Sequence, residues 1–132
     1  SRFAAALDKR AGLYCGTGER FAPYYMLAGA RGYTSGAGNI CPRLTLALRR
    51  ALVRGDQAGA GRIRRRIRPI EDYRARAADS YNISMLKFAL QVAGHDFGPV
   101  RPPLRRLTAQ EEREIRAIVE PILAAEAELA RS

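Results

Sequence analysis

The sequence predicts an α/β fold in which helices greatly outnumber strands. Within residues 1–56, short apolar runs alternate with stretches of helical apolar spacing, which is the order expected for βαβα units of a parallel sheet. From residue 57 onward, no stretch alternates apolar and polar residues with period two, and the periodic stretches have helical spacing. We therefore divide the chain into an α/β part, residues 1–56, and a helical part, residues 57–132.

The α/β part begins with residues 1–10, whose apolar positions share one helical face. The next segment, 11–16, is a short apolar run that ends in glycine, which is typical of a buried parallel strand. Small residues after each strand leave room for a ligand at the strand ends, and Pro42 suits the first turn of a helix. These patterns predict strands near 11–16 and 31–36 and helices near 19–29 and 42–54.

The helical part contains three predicted helices, near 57–78, 80–94 and 108–130. The first contains Pro69, which lacks a backbone N–H and is expected to bend or interrupt the helix. The last begins with Thr108 and Glu111, whose spacing matches a capping box. Pro121 is expected to kink this last helix. We therefore expect a helical region in which two of the three helices carry an internal proline.

The 132 residues carry a formal net charge of +10, almost all of it from arginine. A basic chain of this size raises the alternative of a helical module that binds nucleic acid. The arginine run at 62–68 is interleaved with isoleucines at helical spacing, which favours a solvated amphipathic helix and no nucleic-acid partner. No apolar run approaches the roughly 18 residues of a membrane span, so no membrane partner is expected either.

The familiar catalytic and cofactor motifs are incomplete in this sequence. The glycine pair at 16–18 lacks the third glycine of a dinucleotide-binding loop, because Phe21 stands in its place. Ser35 does not stand in a nucleophile-elbow motif. Cys15 and Cys41 do not match a zinc pattern and are expected to be reduced thiols. No metal and no cofactor are predicted, so the residues alone indicate an architecture without a reaction.

Three stretches carry motifs that are weak alone and more specific as an ordered set. The first runs from Cys15-Gly-Thr-Gly18 to Leu27-Ala-Gly-Ala-Arg-Gly32, and the second is Thr34-Ser-Gly-Ala-Gly-Asn-Ile-Cys-Pro42 with Arg54-Gly-Asp56. The third is Asn82-Ile-Ser-Met-Leu-Lys-Phe-Ala-Leu90 with Gly98-Pro-Val-Arg-Pro-Pro-Leu104. In this combination the chain resembles the dihydrodipicolinate synthase / N-acetylneuraminate lyase family of class I aldolases and dehydratases. The last motif is more similar to that of the sugar-acid dehydratases and aldolases within the family.

The resemblance implies a (β/α)₈ TIM barrel followed by a C-terminal helical bundle, of which this chain supplies the last two barrel strands. A complete barrel needs about 250 residues, so the chain is expected to be the C-terminal part of a longer enzyme, beginning inside the sixth barrel helix. Family members form a Schiff base between a lysine and pyruvate or a 2-keto sugar acid, followed by aldol condensation, cleavage or dehydration. That lysine and the proton-relay tyrosine are expected upstream of Ser1, so the isolated chain is expected to be inactive.

The same resemblance assigns the substrate-binding positions. Gly16 after the first strand, and Thr34 and Ser35 at the end of the second, are expected to face a small-molecule 2-keto acid. The Ser35 hydroxyl is expected to hydrogen-bond a substrate oxygen, whereas Asn39 is expected to cap the following helix. By analogy with the family, we also expect a cytoplasmic homo-oligomer, with the tetramer as its common form.

Overall fold

The structure, a computed structural model, describes residues 11–131, and the predicted helix over 1–10 lies outside them. Two short strands, β1 (Tyr14–Cys15) and β2 (Gly32–Tyr33), pair in parallel. Helix α1 (Ala22–Leu27) lies between them and provides the crossover that a parallel pair requires. The βαβ order expected from the alternation of patterns is therefore present.

The rest of the described chain is helical. A short 3₁₀ turn, Ala37–Asn39, follows β2 and leads into the longer helices, which are α2 (Pro42–Val53), α3 (Gln57–Arg74), α4 (Asn82–Val92) and α5 (Ala109–Arg131). The strands are shorter than predicted, so Thr34 and Ser35 lie just beyond β2 instead of within it. Within residues 11–131, no helix combines the length and the apolarity that a membrane span demands.

The connection between α3 and α4 differs from the prediction of a helix that continues to residue 78. Helix α3 ends at Arg74, and the segment Arg76–Asp79 that follows is a left-handed turn. Ala77, Ala78 and Asp79 have φ angles of 47°, 54° and 63°. This region of φ favours glycine, and no glycine is present in the segment, so no local pattern predicts the turn.

The two helix-internal prolines do not break their helices. Helix α3 passes through Pro69 and α5 passes through Pro121, and both prolines are exposed. Of the two outcomes expected at Pro69, the interruption is therefore wrong, because a carbonyl left without its partner on an exposed face can bond to water. The bends expected at Pro69 and Pro121 stay predictions. The predicted capping box is confirmed, since Glu111 donates its N–H to Thr108 Oγ1 at 3.3 Å and accepts the Thr108 N–H at 2.7 Å.

The main core lies where α2, α3, α4 and α5 meet. Its buried members are Ala37, Ile40, Cys41, Leu44, Ile67, Ile70, Tyr73, Met85, Ala89, Ile115, Val119 and Ile122. A smaller cluster connects α1 and α2 to the start of α3, with Ala22, Leu48, Ala51, Leu52 and Ala60 as its buried members. Helix α2 contributes to both clusters, so it fixes the position of the strands relative to the helical part.

Candidate functional site

The carboxyl ends of β1 and β2 lie side by side, and the three predicted binding positions meet there. The strands are parallel with Cys15 opposite Tyr33, so the chain leaves both of them at the same edge of the sheet. Gly16, Thr34 and Ser35 all line one cleft of about 520 Å³, which we call the strand-end cleft. The structure therefore brings the three positions together, and their contact with a substrate stays a prediction.

The backbone at the floor of the strand-end cleft is well fixed and accessible. Thr34 donates its N–H to the Cys15 carbonyl at 2.9 Å, and its hydroxyl lies 3.5 Å from the same oxygen. Gly16 is exposed, and a Cβ at this position would meet no atom within 4 Å. A ligand can therefore approach the backbone directly at the end of β1.

Ser35 makes its hydrogen bonds inside the protein. Its hydroxyl donates to Glu19 Oε1 in a short hydrogen bond and accepts the N–H of Gly38 at 2.6 Å. These contacts close the turn after β2 and join it to the segment that follows β1. The hydroxyl proton is therefore committed to Glu19, and Ser35 positions the turn.

Glu19 is a buried acid that the sequence pattern indicated only as the start of a helix. Its side chain is 1% exposed, and its Oε2 has no hydrogen-bond partner among the described residues. Desolvation raises the pKa of Glu19 above its ordinary value; the hydrogen bond from Ser35 opposes this shift, and the nearby Glu71 carboxylate adds to it. The only signal in the sequence was an acid three residues after Gly16, the glycine that follows β1.

Helix α3 contributes an ion pair, Glu71 and Arg74, to the lining of the strand-end cleft. Arg74 donates from Nη1 to Glu71 Oε1 at 2.6 Å and from Nε to Asn82 Oδ1 at 2.9 Å. Gly18 has a φ of 71°, and a Cβ there would lie 2.8 Å from Glu71 Oε2. A Cβ on Gly36 would collide with the Arg74 guanidinium. The two glycines therefore allow this acid–arginine pair to approach the strand ends, a role that the sequence analysis missed.

The start of α2 is capped from α5 and not by Asn39. Asn39 donates its side-chain amide to the Gly36 carbonyl at 3.0 Å, so its predicted capping role is wrong. Glu126, 6% exposed, accepts the N–H groups of Arg43 at 2.7 Å and Leu44 at 2.9 Å. A distant carboxylate serves as the cap because Cys41, which occupies the capping position, makes no side-chain cap bond.

Cys41 is unsuited to a nucleophilic role. It is fully buried and its thiol donates to the Ala37 carbonyl at 3.4 Å. Burial raises the pKa of its thiol to about 12, with the neighbouring carboxylates Glu19 and Glu126 adding to the shift. Because the thiolate is the reactive form, this cysteine is chemically inert near neutral pH.

Comparison with known proteins identifies the family. The profile of the Dihydrodipicolinate synthetase family matches residues 2–122. The chain belongs to this family. A curated relative from Pseudomonas putida (strain W619), named a probable 5-dehydro-4-deoxyglucarate dehydratase, is 35% identical over 105 residues, which cover 79% of this chain and 34% of the relative. The dehydratase of the same name from Rhizobium rhizogenes (strain K84 / ATCC BAA-868) is 38% identical over 110 residues, which cover 83% and 36%.

Solved structures of the same family share the fold. The dihydrodipicolinate synthase of Oceanobacillus iheyensis superposes with a TM-score of 0.84 at 30% identity, covering 91% of this chain and 41% of that protein. The dihydrodipicolinate synthase of Bacillus clausii gives a TM-score of 0.79 at 28% identity, covering 94% and 41%. The chain thus spans about a third of the length of the curated relatives. The expected fold, the end of a (β/α)₈ barrel with a helical C-terminal region, is confirmed.

Proposed function

We propose that this chain is the C-terminal part of a Schiff-base-forming lyase that acts on pyruvate or a 2-keto sugar acid. The observation that supports this most directly is the strand-end cleft, because barrel enzymes place their active sites at the carboxyl ends of the strands. The relatives named as probable 5-dehydro-4-deoxyglucarate dehydratases favour dehydration of a sugar acid over aldol condensation or cleavage. Family membership favours this function over the nucleic-acid module.

We assign one wall of the substrate pocket to this chain. Gly16 and Thr34 offer backbone that a substrate can approach closely, and Ser35 positions the turn through its bond to Glu19. Arg74 also lines the cleft, and its guanidinium is oriented by Asn82 and Glu71. An oriented guanidinium suits the carboxylate of a keto acid, because the planar fork can donate two parallel hydrogen bonds.

The reactive lysine is assigned to polypeptide that precedes this segment in a family-length enzyme. Lys87, the lysine of the described part, donates its Nζ to the Pro99 carbonyl at 2.9 Å and lines a different cleft with Ser84 and Phe88. Lys9 stands in the sequence outside the described residues. We therefore propose that the 132-residue chain alone does not turn over substrate.

Borohydride trapping tests both proposals. A family-length polypeptide that contains this chain is treated with pyruvate and borohydride, and peptides are then mapped by mass spectrometry, with borohydride alone as the control. We expect a reduced adduct on a lysine outside residues 1–132 and none on the isolated chain. A family-length protein without an adduct would contradict the lyase assignment. An adduct on Lys87, or turnover by the isolated chain, would contradict the division of roles.

The positioning role of Ser35 is tested by kinetics on the family-length protein. Ser35→Ala removes the bonds to Glu19 and Gly38, so the turn after β2 should loosen. Since a small misplacement of binding groups is costly, kcat/KM should fall by up to about 100-fold. The matched variant Ser80→Ala, at an exposed position, should leave kcat/KM unchanged. Equal kcat/KM values for the two variants would mean that Ser35 does not position the site.

We also propose that the assembled protein is a cytoplasmic homo-oligomer. Large apolar side chains on and beside α1 are exposed, with Leu27 at 75%, Tyr24 at 60% and Phe21 at 44%. Large exposed apolar side chains such as these are typical of a protein–protein interface. Light scattering on the family-length protein should show an oligomer, in the family's common form a tetramer, and Leu27→Asp should shift it toward smaller species. A monomer at micromolar concentration would contradict this proposal.

A further inference from the structure

A second cleft lies beside the strand-end cleft, between the segment that enters α1 and the middle of α3. Its volume is about 320 Å³, and none of the predicted substrate positions lines it. Three guanidinium groups border it: Arg20 before α1, and Arg64 and Arg68 one turn apart on α3. The rings of Phe21 and Tyr24 form its apolar side. We call this the arginine cleft.

The positive charge of the arginine cleft is only partly neutralised. Asp72 accepts from Arg20 at 2.6 Å and from Arg68 at 3.0 Å, so one carboxylate serves two guanidinium groups. Glu71 also lines the cleft, but it is paired with Arg74. Within residues 11–131, Arg64 makes no ion pair. With the Arg74 guanidinium and the Glu19 carboxylate included, four guanidinium groups face three carboxylates, which leaves one positive charge. Because guanidinium groups bind oxyanions through charge-assisted hydrogen bonds, this remaining charge suits an anionic ligand.

Glu19 provides an independent observation at the same cleft. It is 1% exposed and lines the arginine cleft, while its Oε1 is taken up by Ser35. Its Oε2 has no partner in the described part of the chain. A buried polar atom without a partner is costly, so Oε2 is expected to meet a hydrogen-bond donor from outside residues 11–131. A ligand that fits must offer acceptor oxygens to the arginines and a proton to Oε2.

We propose that the arginine cleft binds inorganic phosphate as hydrogenphosphate. Its unprotonated oxygens accept from Arg20, Arg64 and Arg68, and its O–H donates to Glu19 Oε2. Sulfate has a similar shape and similar acceptor oxygens, but it carries no proton near neutral pH and would leave Oε2 unpaired. The bound phosphate would contact the same carboxyl group that holds Ser35, so binding should also stabilise the turn at the strand-end cleft.

Titration of the 132-residue chain with sodium phosphate and sodium sulfate tests this proposal. The measurement is isothermal calorimetry at pH 7.5, with sodium chloride keeping the ionic strength constant. We expect saturable binding of one phosphate and about tenfold weaker binding of sulfate, the effect of one charge-assisted hydrogen bond. Arg64→Gln should weaken phosphate binding about tenfold by the same reasoning. The matched variant Arg62→Gln, on the same helix but outside the cleft, should stay within about twofold of wild type.

Glu19→Gln tests the role of the carboxyl group itself. A glutamine at this position presents an amide donor where Oε2 accepts, so phosphate should lose affinity and sulfate should gain it. Circular dichroism verifies that the variant folds, and Arg64→Gln keeps the proposal testable if it does not. Equal affinity of the wild type for the two anions, binding that does not saturate, or equal losses in Arg62→Gln and Arg64→Gln would each overturn the proposal. The site needs no Schiff-base chemistry, so failure of the lyase assignment would leave it standing.

Discussion

The strand segment, residues 11–36 with β1, α1 and β2, and the long helices α2–α5 bury their large apolar side chains to very different degrees. In the long helices, Leu48, Ile67 and Ile115 are fully buried. In the strand segment, Tyr14 on β1 is 60% exposed and Leu27 on α1 is 75% exposed. The long helices therefore supply most of the packing energy of the described chain, although the candidate substrate positions lie in the strand segment.

This difference indicates how the site is shaped. Strands of two residues provide few ladder bonds, so the position of their ends depends on contacts from the helices. Glu71 and Arg74 of α3 pack against the glycines at the strand ends, and Glu126 of α5 caps the helix that follows β2. The helical part thus acts on the site by fixing its backbone.

Truncation of a buried side chain in the core should change the free energy of unfolding the most. Ile115→Ala removes a fully buried side chain between α4 and α5 and should lower the free energy of unfolding by about 2–5 kcal/mol. Tyr14→Ala, on the exposed face of β1, should change it by no more than about 0.5 kcal/mol. Urea titrations monitored by circular dichroism measure both. Equal losses would mean that the strands contribute as much packing energy as the helices.

Loss of the Glu126 carboxylate, which connects α5 to the start of α2, should have the next largest effect on the free energy of unfolding. Glu126→Ala leaves the N–H groups of Arg43 and Leu44 without their acceptor at the buried start of α2, which should cost about 2–3 kcal/mol. Glu126→Gln keeps one acceptor oxygen and should lose roughly half as much. Glu128→Ala, exposed on the same helix, is the control and should stay within about 0.5 kcal/mol of wild type by urea titration. If Glu126→Ala lowers the free energy of unfolding no more than Glu128→Ala does, Glu126 does not stabilise the start of α2.

Local sequence patterns predicted much of the fold and the place of the cleft. The apolar run at 11–16 and the small residues after Tyr33 predicted parallel strands that end at one edge, and the structure has both. Proline at position 42 predicted the start of α2. These features depend on spacing and backbone preference within a few residues, which a single sequence displays directly.

The contacts that hold the site depend on distant parts of the chain. Glu19 meets Ser35, and Arg43 meets Glu126 across 83 positions. Nothing in the residues around an acid shows which distant backbone N–H it will accept. The left-handed turn at Ala78 was missed for a related reason, since alanine is a good helix former and its conformation there is imposed by the surrounding structure.

The buried acid at the border of the two parts predicts a dependence of stability on pH. The pKa of Glu19 is raised in the folded chain, mainly by desolvation, whereas the unfolded chain ionises near the ordinary value of 4.5. The contribution of Glu19 to the free energy of unfolding should therefore fall as pH rises from about 4.5 through the folded pKa and change no further above it. Glu19→Gln should abolish this fall, so its stability relative to wild type should increase with pH across that window.

The measurement for Glu19 is a series of urea titrations between pH 4 and pH 9. Glu128→Gln, exposed on α5, should keep the pH profile of the wild type. Parallel profiles for the wild type and Glu19→Gln would mean that the carboxyl ionises equally easily in the folded and unfolded chains.

The smallest change in the free energy of unfolding is expected in the left-handed turn Arg76–Asp79, which lies beside the strand-end cleft. Ala78 has a φ of 54° and is exposed, so its side chain gains no packing that offsets the left-handed conformation. That conformation costs an L-residue about 1–2 kcal/mol and glycine almost nothing, while glycine adds about 0.5–1 kcal/mol of unfolded-state entropy. Ala78→Gly should therefore stabilise the chain by about 0.5–1 kcal/mol in urea titrations. Ala75→Gly, at a φ of −77°, should instead destabilise it, and the same sign for both variants would mean that α3 continues into the turn.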